Sequence, residues 1–109
     1  MNHLEVNFNL ANNYTNHLSV VLAGTLNNMN AINFKKDLIR LISTENKNCT
    51  VNIEKLDTID LTGLNALVAA HKTLQMNGHE LTVVYKEENP INELLQLPKF
   101  NRYINLKRA

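Results

Sequence analysis

Polar and apolar residues alternate from position 3 to position 10, with Leu4, Val6, Phe8 and Leu10 on one side and His3, Glu5, Asn7 and Asn9 on the other. A period of two predicts a half-exposed strand, and its polar face suits a sheet edge. The polar stretch 11–16 reads as a turn. Residues 17–23 then form a second, more buried strand ended by Gly24, so that the two make a hairpin. Asn27 or Asn28 stands where it could cap a helix, and from Ala31 the apolar positions Phe34, Leu38, Leu41 and Ile42 recur at three and four residues, one helical face. Residues 49–53 predict a short strand, and 54–59 a connection that carries Leu56 and Ile59 inward. Leu64, Leu67, Val68, His71 and Leu74 are the stripe of a second helix, in which Ala66, Ala69 and Ala70 leave room for close approach to a sheet and Asn77-Gly78 supplies the stop. Leu81–Tyr85 predicts a strand. Pro90 opens a third helix with Ile91, Leu94 and Leu95 inward, Pro98 ends it, and 103–106 is a last strand. Alternating strands and helices after an opening hairpin predict an α/β fold, a mostly parallel sheet with right-handed crossovers.

Composition narrows the function more than the fold. A chain of 109 residues is one domain, 1–109, and with 44% hydrophobic residues it can build a core without metal or disulfide. Eleven basic against ten acidic residues give a net charge of +1, which supplies no field for a nucleic-acid backbone. Cys49 is the only cysteine, so there is no internal disulfide, CxxC pair or cysteine-rich zinc site. Asn13-Tyr14-Thr15 and Asn48-Cys49-Thr50 match the glycosylation triplet, but Met1-Asn2-His3-Leu4-Glu5 has neither the basic nor the apolar region of a secretion signal. Every apolar run is broken by Asn, Lys or Glu well short of a membrane span. A cytoplasmic protein, not inserted in a membrane, is expected. The scattered asparagines interrupt periodic segments without replacing them and read as surface usage.

Candidate chemistry is sparse. His3, His17, His71 and His79 have no close ligand spacing, although His3 and His17 could face each other across the hairpin, so no metal is expected. No GxSxG elbow, Walker loop or GxGxxG is present, which leaves no cofactor loop. Asp57 and Asp60 could serve as a general acid and base; helix capping by Asp60 and a solvated turn at Asp57 is the plainer reading.

The informative stretch runs from Val51 to Lys72 and contains Asp60-Leu61-Thr62-Gly63-Leu64. It resembles the core of the STAS domain, the family of bacterial anti-sigma-factor antagonists and of the cytoplasmic tails of sulphate transporters, in which a buried strand leads through an Asp-Ser/Thr-Ser/Thr-Gly-Leu signature into a helix. Gly24-Thr25-Leu26-Asn27 is similar to the family's Gly-x-Leu/Ile-Asp turn. Asn77-Gly78 before Leu81–Val84, and Asn89-Pro90-Ile91 with Phe100, are similar to its later elements. The resemblance implies a non-catalytic binding module that engages a serine-kinase-like anti-sigma factor, with phosphorylation breaking the complex. It implies a partner surface at Asn27, Asp60, Leu61, Thr62, Asn65, Ala66, Ala69 and Thr73, the last four read as a small, uncharged exposed face. The family's phosphoacceptor directly follows the signature Asp, and here that residue is Leu61. Either binding is constitutive, the favoured reading, or the switch has moved to Thr62. Asn27 stands for the family's usual Asp, and the sequence stops at Ala109 where many members carry one more helix. The alternative within binding proteins is a STAS subunit docked on the ATPase of a lipid or small-molecule ABC transporter. A small enzyme using Asp57 and Asp60, and a homodimer joined through an exposed Leu61, complete the expectations.

Overall fold

The computed structural model describes residues 3–9, 17–86 and 104–108. The elements are β1 (Leu4–Asn9), β2 (His17–Leu26), α1 (Ala31–Glu45), β3 (Asn48–Ile59), α2 (Leu61–Met76), β4 (Leu81–Tyr85) and β5 (Asn105–Arg108). They build one five-stranded sheet in the order β1-β2-β3-β4-β5, antiparallel only between β1 and β2. This is the α/β architecture that the periodicity predicts. α1 and α2 pack against each other on one side of the sheet, the arrangement that crossovers of one hand between neighbouring parallel strands require.

Side-chain alternation explains that layer. Leu18, Val20 and Leu22 on β2, Cys49, Val51 and Ile53 on β3, and Leu81 and Val83 on β4 are all buried. Under the helices they meet Phe34, Leu38 and Ile42 from α1 and Leu64, Leu67 and Leu74 from α2. Removing this apolar area from water is the main stabilising term, at about 25 cal/mol per Å². Cys49 is a buried hydrophobe whose thiol is pushed up to about 12 by desolvation, which makes it inert as a nucleophile near neutral pH.

Five expectations need correction. Gly24 does not end β2; the strand runs on to Leu26, with Gly24 at φ +97° and His3 packed where a side chain would stand. Residues 54–59 are strand rather than connection. Val21 pairs with Asn52 but Ala23 with Lys55, and Gly24 pairs with Leu56 but Thr25 with Thr58, so β3 takes in an extra residue twice. Those two bulges carry the inward phase from Ile53 to Leu56 to Ile59. Neither Asn27 nor Asn28 caps α1, whose N-cap is Asn30. His3 and His17 do not meet, because in the hairpin register Leu4 lies opposite Gly24 and Asn9 opposite Ser19, which puts the two histidines at opposite ends. The last strand falls at Asn105–Arg108, two residues later than its apolar pattern suggests. The third helix expected from Pro90 lies outside the described residues, as does Tyr103.

Candidate partner-binding site

The strand β3 ends at Ile59, and Asp60 turns the chain into α2 in an extended conformation, φ −106° and ψ −177°. Its carboxylate does two jobs. Oδ1 accepts the Gly63 N–H at 2.8 Å, satisfying one of the donors that every helix start leaves open, and Oδ2 accepts the Asn28 N–H at 3.0 Å from the loop before α1. The Asp60 N–H donates to the Leu26 carbonyl at 3.2 Å. One residue thus joins the end of β2, the loop before α1 and the start of α2.

Gly63 completes the junction. A Cβ there would stand 2.7 Å from the Leu26 carbonyl oxygen, 2.8 Å from Leu26 Cγ and 2.9 Å from Ile59 Cγ1. The glycine of the signature is therefore a packing requirement, letting the first turn of α2 lie directly on the end of β2.

The loop before α1 is held by asparagines. The Asn27 N–H donates to Asn30 Oδ1 and Asn27 Oδ1 accepts the Met29 N–H, each at 3.0 Å. Asn30 Nδ2 reaches back to the Thr25 carbonyl at 2.9 Å. Asn27 therefore shapes the loop, and the loop is tied to the site through Asn28.

On this frame Leu61 is 52% exposed, and Thr62 is exposed beside it. Asp60 supplies the cap, so Thr62 is not needed for it. Asn65 is exposed. Ala66 is not: at 2% exposure it faces α1, which corrects the expectation of an exposed four-residue face. Ala69 and Thr73 are half-buried, and the Thr73 hydroxyl donates to the Ala69 carbonyl at 3.0 Å. Thr62, Asn65 and Ala66 instead line a shallow groove between the helix starts, closed on the other side by Ala31, Ile32 and Lys35.

That far wall holds what the sequence reading missed. Ile32 is 58% exposed, and Met29, next to the tethered Asn28, is 70% exposed. With Leu61 they give the helix-start end an apolar character, with the Lys35 ammonium beside it. The available signal was phase: Met29 and Ile32 are apolar yet fall outside the inward stripe of Ala31, Phe34, Leu38 and Ile42.

Asp60 is engaged by two backbone N–H groups, and Asp57 is exposed on β3. Among the described residues no group of three or more His, Cys, Asp or Glu could hold a metal, and no helix is long and apolar enough to cross a membrane. His17 hydrogen-bonds Thr50, and His3 lies 3.5 Å from Glu5. His71 is buried, its Nδ1 accepting the Leu81 N–H at 3.1 Å, which puts the ring proton on Nε2. Desolvation holds its imidazole below the ordinary histidine range, with the Glu80 carboxylate pulling the other way.

The site is thus a capped helix start with exposed apolar residues beside it, on a small α/β domain. The model of the STAS domain matches residues 10–109, and the chain belongs to that family. Comparison with curated protein sequences gives no match. Among solved structures, the chain is similar to an anti-sigma factor antagonist from Mycobacterium paratuberculosis (TM-score 0.79, 11% identity, covering 96% of this chain and 86% of that one). It is similar also to a Thermotoga maritima protein assigned to the anti-sigma factor antagonists (TM-score 0.78, 20% identity, 95% and 86%). A third is SpoIIAA in its unphosphorylated form (TM-score 0.70, 12% identity, 96% and 89%); the phosphorylated form of the Bacillus protein is similar too. At these identities the likeness establishes the fold.

Proposed function

We propose that this chain is a non-catalytic regulatory binding module of the anti-sigma-factor-antagonist kind, which docks a kinase-like anti-sigma factor on the start of α2 and the rim of α1. The observation that carries the reading is Leu61: a half-exposed leucine, held by the Asp60 cap and Gly63, at the position where the family's signature has its phosphoacceptor. A phosphate there would bring about −1.5 to −2 charges into a small contact; leucine brings an apolar contact that no kinase can alter. The complex is therefore constitutive. Thr62 is exposed, but one helical position later its hydroxyl points about 100° away.

The test is affinity capture from the native cell, with mass spectrometry of the co-purifying proteins and of Thr62. The expected result is a protein with a serine-kinase-type ATP-binding domain, lost in the double variant Leu61→Glu/Ile32→Glu, and no phosphate on Thr62. Phosphothreonine at Thr62 that releases the partner would overturn constitutive binding. The same apolar rim also favours a second reading, docking on a transporter ATPase, which needs no phosphorylation; co-purification of such an ATPase in place of the kinase-like protein would select it.

A further inference from the structure

The two ends of the sheet are unlike. At one end β5 is four residues long and closes on Lys107-Arg108. At the other, β1 is six residues long, has neither lysine nor proline, and pairs with β2 without a register shift. Charge, proline, bulges and brevity are the usual means by which an edge strand is kept from pairing with another chain. The β5 edge uses two of them; the β1 edge has a single charge, Glu5, and no lysine, proline or bulge.

The hydrogen-bond phase of β1 is set by its first bond. The His3 carbonyl accepts the Thr25 N–H at 2.8 Å, so His3, Glu5 and Asn7 turn their backbone groups toward β2. By alternation Leu4, Val6 and Phe8 turn theirs outward, where among the described residues no strand lies beside them. Above this edge runs an apolar groove in which Val6 and Phe8 face Phe34 and Leu41 of α1. Phe8 is 39% exposed. The groove also holds one carboxylate, Asp37, and one guanidinium, Arg40, so two copies of it do not repel each other.

We propose that this edge pairs with the same edge of a second copy of the chain, antiparallel, about a two-fold axis through Val6. The occupant follows from register. With Val6 opposite Val6 of the second copy, Leu4 lies opposite Phe8, and every outward N–H and C=O of Leu4, Val6 and Phe8 is paired on both copies. On the other face Glu5 lies opposite Asn7. A shift of two residues either way leaves outward groups unpaired, and one of the two sets Glu5 against Glu5. The axis keeps α1 of both copies on one side and joins two five-stranded sheets into one. A single strand pair with its groove buries less than the ~800 Å² per partner of a standard interface, so the dimer is weak and concentration-dependent.

Sedimentation equilibrium over a concentration series, together with amide exchange followed by NMR, tests this. The expected result is a monomer–dimer equilibrium in which the Leu4, Val6 and Phe8 amides gain protection as concentration rises, while those of Glu5 and Asn7 are protected throughout. Asn7→Lys sets a lysine against Glu5 twice across the axis and should tighten association roughly three- to tenfold; Asn7→Glu should weaken it by a similar factor. The Asn7 side chain is exposed, so both variants keep the fold. Leu61→Ser should leave dimerisation unchanged. A protein monomeric up to about 1 mM, or a dimer indifferent to position 7, or one abolished by Leu61→Ser, would overturn the proposal.

Discussion

The two helices begin in opposite ways. α1 starts at Asn30, φ −125° and ψ −12°, whose side chain makes no cap bond to the helix and instead bridges Asn27 and the Thr25 carbonyl within its own loop. α2 starts at Asp60, which caps Gly63 directly, reaches across to Asn28 and sits on the end of β2. The first is a turn that folds on itself, and the second is a joint between three elements. The loop of α1 is tied to α2 by the bond from Asn28 to Asp60. A docking surface that spans both helix starts is therefore only as well defined as the α2 joint, and damage there should reach further than damage at α1.

The largest expected break is Gly63→Ala. In an open helix this change would gain about 1 kcal/mol from propensity. Here the methyl meets a backbone carbonyl and two core side chains at under 3 Å, and overpacking of this sort costs about 1–3 kcal/mol, more than the gain. Urea unfolding should show a net loss in stability, and a neutral result would mean that the α2 joint is not tightly packed. Asp60→Ala comes next. It removes a helix cap, worth about 1 kcal/mol and up to 2, and with it the tether of Asn28. Amide exchange should show residues 27–30 opening together with the first turn of α2. The matching change Asn30→Ala removes two neutral bonds of about 1 kcal/mol each at most, and it should loosen the α1 loop while leaving the Gly63 amide protected. Equal and reciprocal opening in both variants would erase the asymmetry.

Acid probes the other half of α2. His71 is buried with its imidazole below the ordinary range, so the unfolded chain binds the proton more readily. Its contribution to stability is fully present above the unfolded value near 6.5, and is lost as pH falls from there through the folded value. Protonation of Nδ1 would also break the bond from the Leu81 N–H. The melting temperature should therefore fall between pH 7 and pH 5 more steeply in the native protein than in His71→Phe, whereas the helix-start amides should keep their order of protection.

How much of this was legible depended on where the period of the pattern held. β1, β4 and both helices follow a period of two or of 3.6, and their elements are where the pattern puts them. The second halves of β2 and β3 do not. Bulges move the inward positions of β3 to Ile53, Leu56 and Ile59, a spacing of three that imitates a loop, and exposed Lys55, Asp57 and Thr58 strengthen the imitation. Gly24 reads as a stop because its positive φ is a matter of tertiary packing against β1. At the site, the cap by Asp60 was legible, since Asp three residues before a buried helical Gly has a local cause. The far wall was not, because Ile32 comes to face Thr62 and Asn65 only when α1 and α2 are set side by side. Ala66 went wrong for the same reason: a helix has two sides besides the one on the sheet, and only the neighbouring helix decides which is covered.

The smallest expected effect on stability is also the sharpest test of what the two helix starts are for. Leu61→Ser changes an exposed first-turn residue, where substitutions stay within about 0.5 kcal/mol, and serine suits a helix start. The fold and the Asp60 cap should be unaltered by unfolding and by amide exchange. Partner affinity should fall, because the half-exposed apolar side chain that Leu61 offers the partner is replaced by a hydroxyl. With a cognate serine kinase the variant, unlike the native chain, should take up one phosphate at position 61. That phosphate would stand at the open donors of the α2 start, where the free protein stabilises it, while facing the partner's apolar contact in the complex. If phosphorylated Leu61→Ser still bound as the native chain does, the α2 start would not be the partner's footing, and the difference between the two helix starts would belong to folding alone.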